Sequence, residues 1–412
     1  MKVFLIILMI ITEGFNLSFS STVPTIEIDA LKDLYNATDG SNWNWKSVTD
    51  AGNHWNFSGN NVNPCDNWQG ISCTCTRNVT EYHPYRGSYY YFESNDDDDT
   101  IYCSVEKLYL IDYSLYGTLP SSIGQLKNLS QLHLDKNYLY STIPDSLYNL
   151  TSLIVLSLAG NSNSDKGSGL SGIISSNIGN LKNLKQIRLN SNLLSGSFTN
   201  LINALVSTSV TTLEMSNNQL SSSIPSSITL LRYLKEITVS DNHLSGYIPS
   251  EIANTSITYI ALNNNKLFGE IPSDLGSMSK ISYISLSNNQ LSGEIPTELG
   301  GLVSISNLDL SGNYLNGPIP SQLGDNSVMS YLALYDNSLN GQIPSRIATL
   351  AKLNFLGLFS NLLSGSLPPS FSLSIQTMAL QNNYLSGSLP TSICLLESLA
   401  SINIQVNKVS FF

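Results

Sequence analysis

Charged side chains are scarce in this sequence, and most of those present are acidic. The chain has 19 lysines and arginines against 30 aspartates and glutamates, so only 12% of its residues are charged and the formal net charge is −11. Soluble proteins usually carry about a quarter of charged residues. Because the phosphates of nucleic acids require a basic surface, this balance argues against nucleic acid as a partner.

Long apolar runs are also missing. The run from Val3 to Ile11 follows Lys2, precedes small residues at Ser18 and Ser20, and is too short to cross a bilayer. This pattern is typical of a secretory signal peptide, which we predict at residues 1–20. No other stretch approaches ~18 apolar residues, so we expect no membrane span in this chain. The predicted location is secreted or extracellular, with the cell surface and the cell wall as candidates. Sequons for N-glycosylation agree with export, at Asn36, Asn56, Asn78, Asn128, Asn149 and Asn254.

Signatures of catalysis and of cofactor binding are absent. The sequence contains no Gly-rich phosphate loop and no kinase signature, and three of its four histidines fall in predicted loops or turns. The sequence offers one candidate Ser/His/Asp set, because His133 and Asp135 on one predicted strand and Ser157 on the next all point to the solvent side of the sheet. An open sheet, however, supplies neither an oxyanion hole nor exclusion of water. We therefore predict no enzyme, no cofactor and no metal.

A repeat of about 24 residues fills most of the chain. In the unit ISYISLSNNQLSGEIP (281–296), apolar and polar residues alternate from Tyr283 to Ser287, which predicts a short strand with Ile284 and Leu286 on one side. A lone strand cannot bury that side. Stacked copies can, because they form one parallel sheet over one continuous core.

One asparagine per unit follows the predicted strand. A buried amide is costly unless it is paired, so we predict a column of asparagines that hydrogen-bond to the backbone of adjacent turns. Gly293 allows a positive φ and Pro296 fixes the extended return path. The column comprises Asn137, Asn161, Asn192, Asn218, Asn242, Asn265, Asn289, Asn313, Asn337, Asn361, Asn383 and Asn407, with Tyr113 in an earlier unit.

These positions resemble the plant-type leucine-rich repeat, L-x-x-L-x-L-x-x-N-x-L-x-G-x-I-P. The match covers residues 105–406, which is about twelve repeats and about three quarters of the chain, and an incomplete final repeat follows at 407–412. The resemblance implies an α/β solenoid, a right-handed leucine-rich-repeat superhelix with a parallel concave β-sheet. Ser175 and Thr199 depart from the pattern at the proline position, and Ser222 at the glycine position.

Residues 21–104 are not repeats and are predicted to form an N-terminal cap. The segment 26–36 has helical spacing, and four tryptophans follow it in a loop-rich stretch. We expect these tryptophans to cover the open apolar end of the solenoid. The segment ALKDLYNATDGSNW resembles the N-terminal caps of receptor-like leucine-rich-repeat proteins, which supports this interpretation.

Four cysteines, Cys65, Cys73, Cys75 and Cys103, fall in or near the predicted cap. In an exported chain they predict two disulfides, with three possible connectivities. The rival interpretation is a four-cysteine zinc site, which the lack of two C-x-x-C pairs disfavours. The stretch PCDNWQGISC resembles the Cys-x-x-Trp-x-Gly-Val-x-Cys cap of plant repeat ectodomains, and that resemblance implies the pairs Cys65–Cys73 and Cys75–Cys103. For Cys394 we expect a buried thiol, with an intermolecular bridge as the alternative.

A tyrosine- and aspartate-rich insertion occupies residues 76–102 of the predicted cap. It contains several tyrosines and the run Asp96 to Asp99. A solvated loop is the expected state, and a contact arm for a basic partner is the alternative. Calcium binding is disfavoured because four consecutive carboxylates cannot all converge on one ion.

The solvent side of the predicted sheet supplies a candidate ligand-binding face. Small residues such as Ala333 and Gly357 are expected to form a floor between two aromatic columns, which would accept an extended chain. Aromatic residues also favour strands and stabilise one another across them, so a purely structural role is the alternative. The predicted ligand-binding residues are Tyr259, Tyr283, Asp309, Tyr331, Tyr335, Phe355 and Phe359.

The predicted function is extracellular recognition by a receptor-like leucine-rich-repeat protein in cell-surface signalling or defence. The expected ligand is a protein, a peptide or an oligosaccharide, and a co-receptor is a further candidate partner. One alternative is an inhibitor of wall-degrading enzymes, because the chain resembles the polygalacturonase-inhibiting proteins, although it lacks the paired cysteines of their C-terminal cap. The other is a structural wall or matrix glycoprotein. The last unit stops before its Gly and Pro positions, so we expect either a fragment of a longer receptor or an end covered by dimerisation.

Overall fold

The computed structural model describes residues 21–59, 62–77 and 101–410. The predicted signal peptide (1–20), the sequon at Asn78, most of the predicted insertion and the last two residues lie outside the described residues.

One long β-sheet runs through the described chain. Each coil contributes a short strand that pairs in parallel with the strands of the coils before and after it, as the repeat predicts. Among the described strands, Ile71–Arg77 alone pairs antiparallel, with Ile101–Tyr109. We call the solvent side of this sheet the concave face. Its strands are Ser21–Thr22, Ile71–Arg77, Ile101–Tyr109, Gln131–His133, Val155–Ser157, Gln186–Arg188, Thr212–Glu214, Glu236–Thr238, Tyr259–Ala261, Tyr283–Ser285, Asn307–Asp309, Tyr331–Ala333, Phe355–Gly357, Thr377–Ala379 and Ser401–Asn403.

A second row of parallel strands lies beside the first, and the sequence did not predict it. It is formed by the residues that follow each asparagine of the predicted column, which we call the ladder asparagines, around the fourth apolar position of the repeat. The row consists of two sheets, of nine and of four strands, which we call together the lateral sheet. Its strands are Tyr116–Gly117, Tyr138–Thr142, Gly169–Ile173, Leu193–Ser197, Gln219–Ser222, His243–Gly246, Lys266–Gly269, Gln290–Glu294 and Tyr314–Asn316, then Asn340–Gly341, Leu362–Ser366, Tyr384–Ser388 and Lys408–Ser410.

Short helices close the convex side of the coils. Most begin directly after the repeat proline, whose φ near −65° suits a helix start, and most are single 3₁₀ turns instead of α-helices. The α-helices are Thr25–Ala37, Val48–Ala51, Phe198–Leu205 and Ser345–Ala348. The 3₁₀ helices are Gly40–Asn42, Ser121–Gln125, Asp145–Asn149, Ser176–Asn180, Ser226–Leu230, Ser250–Asn254, Ser273–Ser277, Thr297–Gly301, Ser321–Asp325 and Thr391–Leu395.

The core is one continuous apolar cluster along the inside of the coils. Repeat positions such as Ile284, Leu286 and Leu291 are fully buried, and the same positions of neighbouring units pack against them. No single coil could exclude water from these side chains, so each unit is stabilised by its neighbours.

The predicted asparagine column is present. The Nδ2 group of Asn289 donates to the carbonyl of Leu262 in the preceding coil (3.0 Å) and to that of Leu286 in its own coil (3.1 Å), while its Oδ1 accepts from the backbone N–H of Leu267 (3.0 Å). The other ladder asparagines repeat these contacts. Each carboxamide therefore joins two successive coils.

The residue before each ladder asparagine has a left-handed backbone, a feature that we did not predict. At Asn288 the φ angle is 51°, and it turns the chain from the concave strand towards the lateral sheet. Asn, Asp and Gly tolerate this conformation best and are frequent there. Gly293 has the positive φ that we expected (81°), and Ser222, which replaces the glycine of its unit, has a φ of 73°.

The N-terminal segment packs against the first coils. The helix Thr25–Ala37 buries Leu31 and Leu34, and the indole rings of Trp43 and Trp55 lie 5.0 Å apart beneath it in the same apolar cluster. The structure contains the disulfides Cys65–Cys73 and Cys75–Cys103, the pairing implied by the resemblance.

The expectation of a buried Cys394 is wrong. Ile393, within the 3₁₀ helix Thr391–Leu395, and Leu396, directly after it, pack against the core, whereas Cys394 is a free, exposed thiol. The sequence showed only an apolar segment and not which of its residues would face outwards. In the same part of the chain, Ile402 and Ile404 are only partly buried.

Candidate functional site

Aromatic side chains form a column across five strands of the concave face. Strand register places Tyr259, Tyr283, Asn307, Tyr331 and Phe355 side by side in that order. The rings of Tyr259 and Tyr283 stack with centroids 4.2 Å apart and planes at 5°, and those of Tyr331 and Phe355 at 4.4 Å and 9°. The column is therefore two ring pairs separated by one asparagine.

A parallel aromatic pair lies four residues further along the same coils. The rings of Tyr335 and Phe359 stack at 4.2 Å and 9°. Together with Tyr331 and Phe355 they form a group of four rings on two adjacent coils, which we call the aromatic quartet.

The floor between the two aromatic columns is covered, and this differs from the groove that the sequence suggested. Ala333 is 0% exposed and Ser285 is 2% exposed. A Cβ atom on Gly357 would lie 2.8 Å from the Phe355 ring and 3.1 Å from that of Tyr335. In the coils of Ala333 and Gly357 the rings close over the small residues, so these two coils present an aromatic platform.

One coil within this region carries no ring. Its concave side chains are Asn307, Asp309 and Ser311, and we call them the ring-free row. Oδ1 of Asp309 accepts hydrogen bonds from the Ser311 backbone N–H (3.1 Å) and hydroxyl (2.6 Å). Within the described residues, no hydrogen bond or ion pair reaches its Oδ2, although the side chain is partly buried.

Two hydroxyls on this face are harder to ionise than an ordinary tyrosine. Burial raises the pKa of Tyr331 to about 12, with a further contribution from the negative charge of Asp309. Burial also raises the pKa of Tyr259 to about 12, with its stacking partner Tyr283 as the next cause. Both rings are therefore neutral at physiological pH, and the Tyr331 hydroxyl lies within electrostatic reach of the Asp309 carboxylate.

Comparisons with known proteins agree with the repeat pattern. The family model "Leucine rich repeat" matches residues 255–315, and a second "Leucine Rich Repeat" model matches 209–231 and 233–255. Among solved structures, a plant peptide hormone receptor, RGFR1 in complex with RGF2, is 32% identical over 71% of this chain and 46% of that chain, with a TM-score of 0.66. The chain is a plant-type leucine-rich-repeat protein.

Two further solved structures are similar to the leucine-rich-repeat protein. A TDR receptor is 27% identical over 74% of this chain and 56% of that chain, with a TM-score of 0.65. An internalin of Listeria monocytogenes is 23% identical over 73% of this chain and 81% of that chain, with a TM-score of 0.58, and shares the fold alone. This chain thus spans 46% and 56% of the lengths of the two receptor chains. A search of curated proteins found no significant match.

Residues 21–59, 62–77 and 101–410 of the leucine-rich-repeat protein include no helix with the length and apolarity needed to cross a bilayer. The same ranges contain no group of three or more His, Cys, Asp or Glu side chains arranged to hold a metal ion.

The Ser/His/Asp set lies near the N-terminal end of the concave face, and its geometry is not that of a nucleophilic triad. The Ser157 hydroxyl donates to Asp135 at 2.5 Å, while His133 Nδ1 lies 3.8 Å from the other carboxylate oxygen and its ring stacks on Tyr109 at 4.6 Å. Burial alone would raise the pKa of Asp135, but His133, Ser157 and the Ala159 N–H favour the carboxylate and lower it. The serine is therefore paired with the acid and not with a base.

Exposed aromatics on the lateral sheet, and directly after one of its strands, are surface residues that were not predicted from the sequence. Tyr247 and Tyr314 are each 66% exposed, and Tyr247 contacts Phe268 edge-on at 4.7 Å. Tyr314 and Tyr384 both occupy the residue after a ladder asparagine. That repeat position identifies these two tyrosines, whereas Tyr247 follows the glycine of its unit.

Proposed function

We propose that this leucine-rich-repeat protein recognises an extended peptide along its concave face, over the coils from Tyr259 to Phe359. The observation that carries this proposal is the set of three stacked ring pairs on the solvent side of the sheet. Flat, preorganised aromatic surfaces bind with little loss of side-chain entropy, and aromatic residues are enriched in binding sites. The likeness to a plant peptide hormone receptor solved in complex with RGF2 supports a peptide as the ligand class.

Sheet stability alone does not account for the arrangement. Cross-strand stacking would be strongest in an unbroken column, yet the ring-free row interrupts it and adds a partly buried carboxylate with no cation beside it. A binding surface has a use for such a polar break, because it fixes where a ligand lies.

We further propose that the protein works outside the cell. The two disulfides fit an oxidising compartment. The sequon asparagines within the described residues, Asn36, Asn56, Asn128, Asn149 and Asn254, are all exposed. Three of them, Asn128, Asn149 and Asn254, lie in or next to convex 3₁₀ helices, where glycans would leave the concave face open.

The test is a peptide-display library selected on the purified protein. Selected peptides should bind the wild type and lose binding to the double variant Tyr331→Ser/Phe355→Ser, because that variant removes one stacked pair. The matched control is Tyr247→Ser/Phe268→Ser, which removes a contacting tyrosine–phenylalanine pair at the lateral sheet, away from the concave face, and should leave binding unchanged.

Circular dichroism and thermal unfolding of both double variants establish that they are folded. Selected peptides that bind the Tyr331→Ser/Phe355→Ser protein as well as the wild type, or that depend on the lateral pair instead, contradict the proposal.

A further inference from the structure

The ring-free row forms a slot between two tyrosine faces. Tyr283 and Tyr331 lie two strands apart, with the strand of Asn307 between them. Adjacent strands are about 4.8 Å apart, so the two rings are separated by about 9.6 Å. The stacked pairs in the same column have centroid distances of 4.2 and 4.4 Å. The side chain at this register position is Asn307, whose Oδ1 accepts a hydrogen bond from the Ser306 hydroxyl (3.0 Å). Because a carboxamide is much smaller than a tyrosine ring, it fills only the base of the slot, which is about twice one stacking distance wide and admits one planar group above Asn307.

The slot contains the one charged side chain of this surface. Asp309 is the one charged residue on the solvent side of six consecutive described strands, which run from Tyr259–Ala261 to Thr377–Ala379. Its Oδ1 is held by Ser311, and its Oδ2 has no partner among the described residues. A ligand cation would therefore meet an unpaired carboxylate oxygen on this face, and a hydrogen bond between two charged groups is stronger than one between neutral groups.

The rings of Tyr283 and Tyr331 and the carboxylate of Asp309 favour the same kind of ligand group. Tyrosine faces attract cations within about 6 Å of the ring centroid, and the middle of the slot lies about 4.8 Å from each wall. A neutral aromatic ring would fill the slot and leave Asp309 unpaired. An ammonium group is compact and strongly hydrated, whereas a guanidinium is planar, stacks on aromatic rings and pairs with carboxylates through two N–H groups.

We infer that the ring-free row is a binding site for an arginine side chain of the peptide ligand, held between Tyr283 and Tyr331 and paired with Asp309. The inference rests on the proposed function, since it places that arginine within a peptide on the concave face. The raised pKa of Tyr331 agrees with this geometry, because after burial the nearby Asp309 charge is its next cause.

The test uses the probes acetyl-Gly-Arg-Gly-amide and acetyl-Gly-citrulline-Gly-amide, measured by calorimetric or NMR titration. Citrulline is planar and nearly isosteric with arginine but carries no charge. The wild type should bind the arginine probe at least about tenfold more tightly than the citrulline probe. Asp309→Asn should lose about tenfold in affinity for the arginine probe, and it should fold normally because an amide oxygen can still accept from Ser311.

Two controls isolate the roles of the charge and of the rings. Asp274→Asn makes the same charge change on an exposed convex 3₁₀ helix and should bind like the wild type. Tyr283→Leu should weaken binding of the arginine probe, while Tyr283→Phe, which retains the aromatic face, should restore it.

Three outcomes overturn the inference: no binding of the arginine probe to the wild type, equal binding of both probes, or unchanged binding to Asp309→Asn. The proposed function is judged separately by the display-selected peptides. If those peptides lose binding to Tyr331→Ser/Phe355→Ser but not to Asp309→Asn, the concave face binds peptides and the arginine assignment alone is wrong.

Discussion

At the scale of single residues, each ladder asparagine connects two coils through one carboxamide. Asn289 satisfies a carbonyl of the preceding coil, a carbonyl of its own coil and a backbone N–H that has turned inward. Water cannot reach these groups, so their pairing depends on the amide. The sequence predicted this column because no other side chain of that size offers both donors and an acceptor.

Replacement of Asn289 by alanine should lower the free energy of unfolding by roughly 1–3 kcal/mol, because buried backbone groups lose their partners. Gln290→Ala is the matched control, since Gln290 is the exposed neighbour and should have little effect. Urea unfolding followed by circular dichroism measures both. Equal midpoints for the two variants would contradict a stabilising role for the asparagine column.

The left-handed conformation of the residues before the ladder asparagines could have been predicted from the sequence but was not. Asn288, Asp336 and Gly312 are residue types that accept positive φ, and they recur at one repeat position. Lys136 and Val406 occupy the same position, which obscured the pattern in single units. The conformation is imposed by the turn and not by the residue, so composition alone does not reveal it.

At the scale of elements, the concave strands could be predicted and the surface they present could not. Alternation in segments such as 283–287 fixes which residues face solvent. Whether aromatic side chains stand apart as walls or lean over Ala333 and Gly357 depends on contacts between neighbouring coils. The lateral sheet was missed because its strands have at most one buried leucine each and no alternation long enough to be recognised.

The pKa of Tyr331, on one of the stacked strands, predicts that the stability of the protein depends on alkaline pH. The pKa of Tyr331 is about 12 in the folded protein against an ordinary value of 10.0, so the folded state holds this proton more tightly than the unfolded state. The corresponding stabilisation is complete below pH 10 and is lost as the pH rises from 10 towards 12. Tyr331→Phe keeps the ring stack and cannot ionise.

We therefore expect the urea midpoint of Tyr331→Phe to fall less than that of the wild type as the pH is raised through this window. Tyrosines away from this cluster are unaffected by the substitution, so the difference between the two curves reports Tyr331 together with the neighbours coupled to it, Tyr335 and Tyr283. If the urea midpoints of the two proteins fall in parallel with pH, the pKa of the Tyr331 hydroxyl is not raised by folding.

At the scale of the whole molecule, the repeat predicts an elongated rod. The concave sheet contains fifteen strands within the described residues, most of them added one coil at a time. A globular chain of 412 residues would have a radius of gyration of about 22 Å. Small-angle scattering of the monomer should give a clearly larger value. A value at or below that of a compact globule would refute the solenoid.

The repetition of similar coils limits how specifically the concave face can position a ligand, and the ring-free row counteracts this limit. A surface made of near-identical coils offers an elongated ligand many overlapping placements, each displaced by one strand and of similar affinity. Asn307, Asp309 and Ser311 differ from the flanking aromatic coils in both shape and charge. A ligand displaced by one coil would set its cation against Ser285 or Ala333 and leave the carboxylate unpaired. This single irregular coil would thus remove the translational ambiguity of a periodic surface.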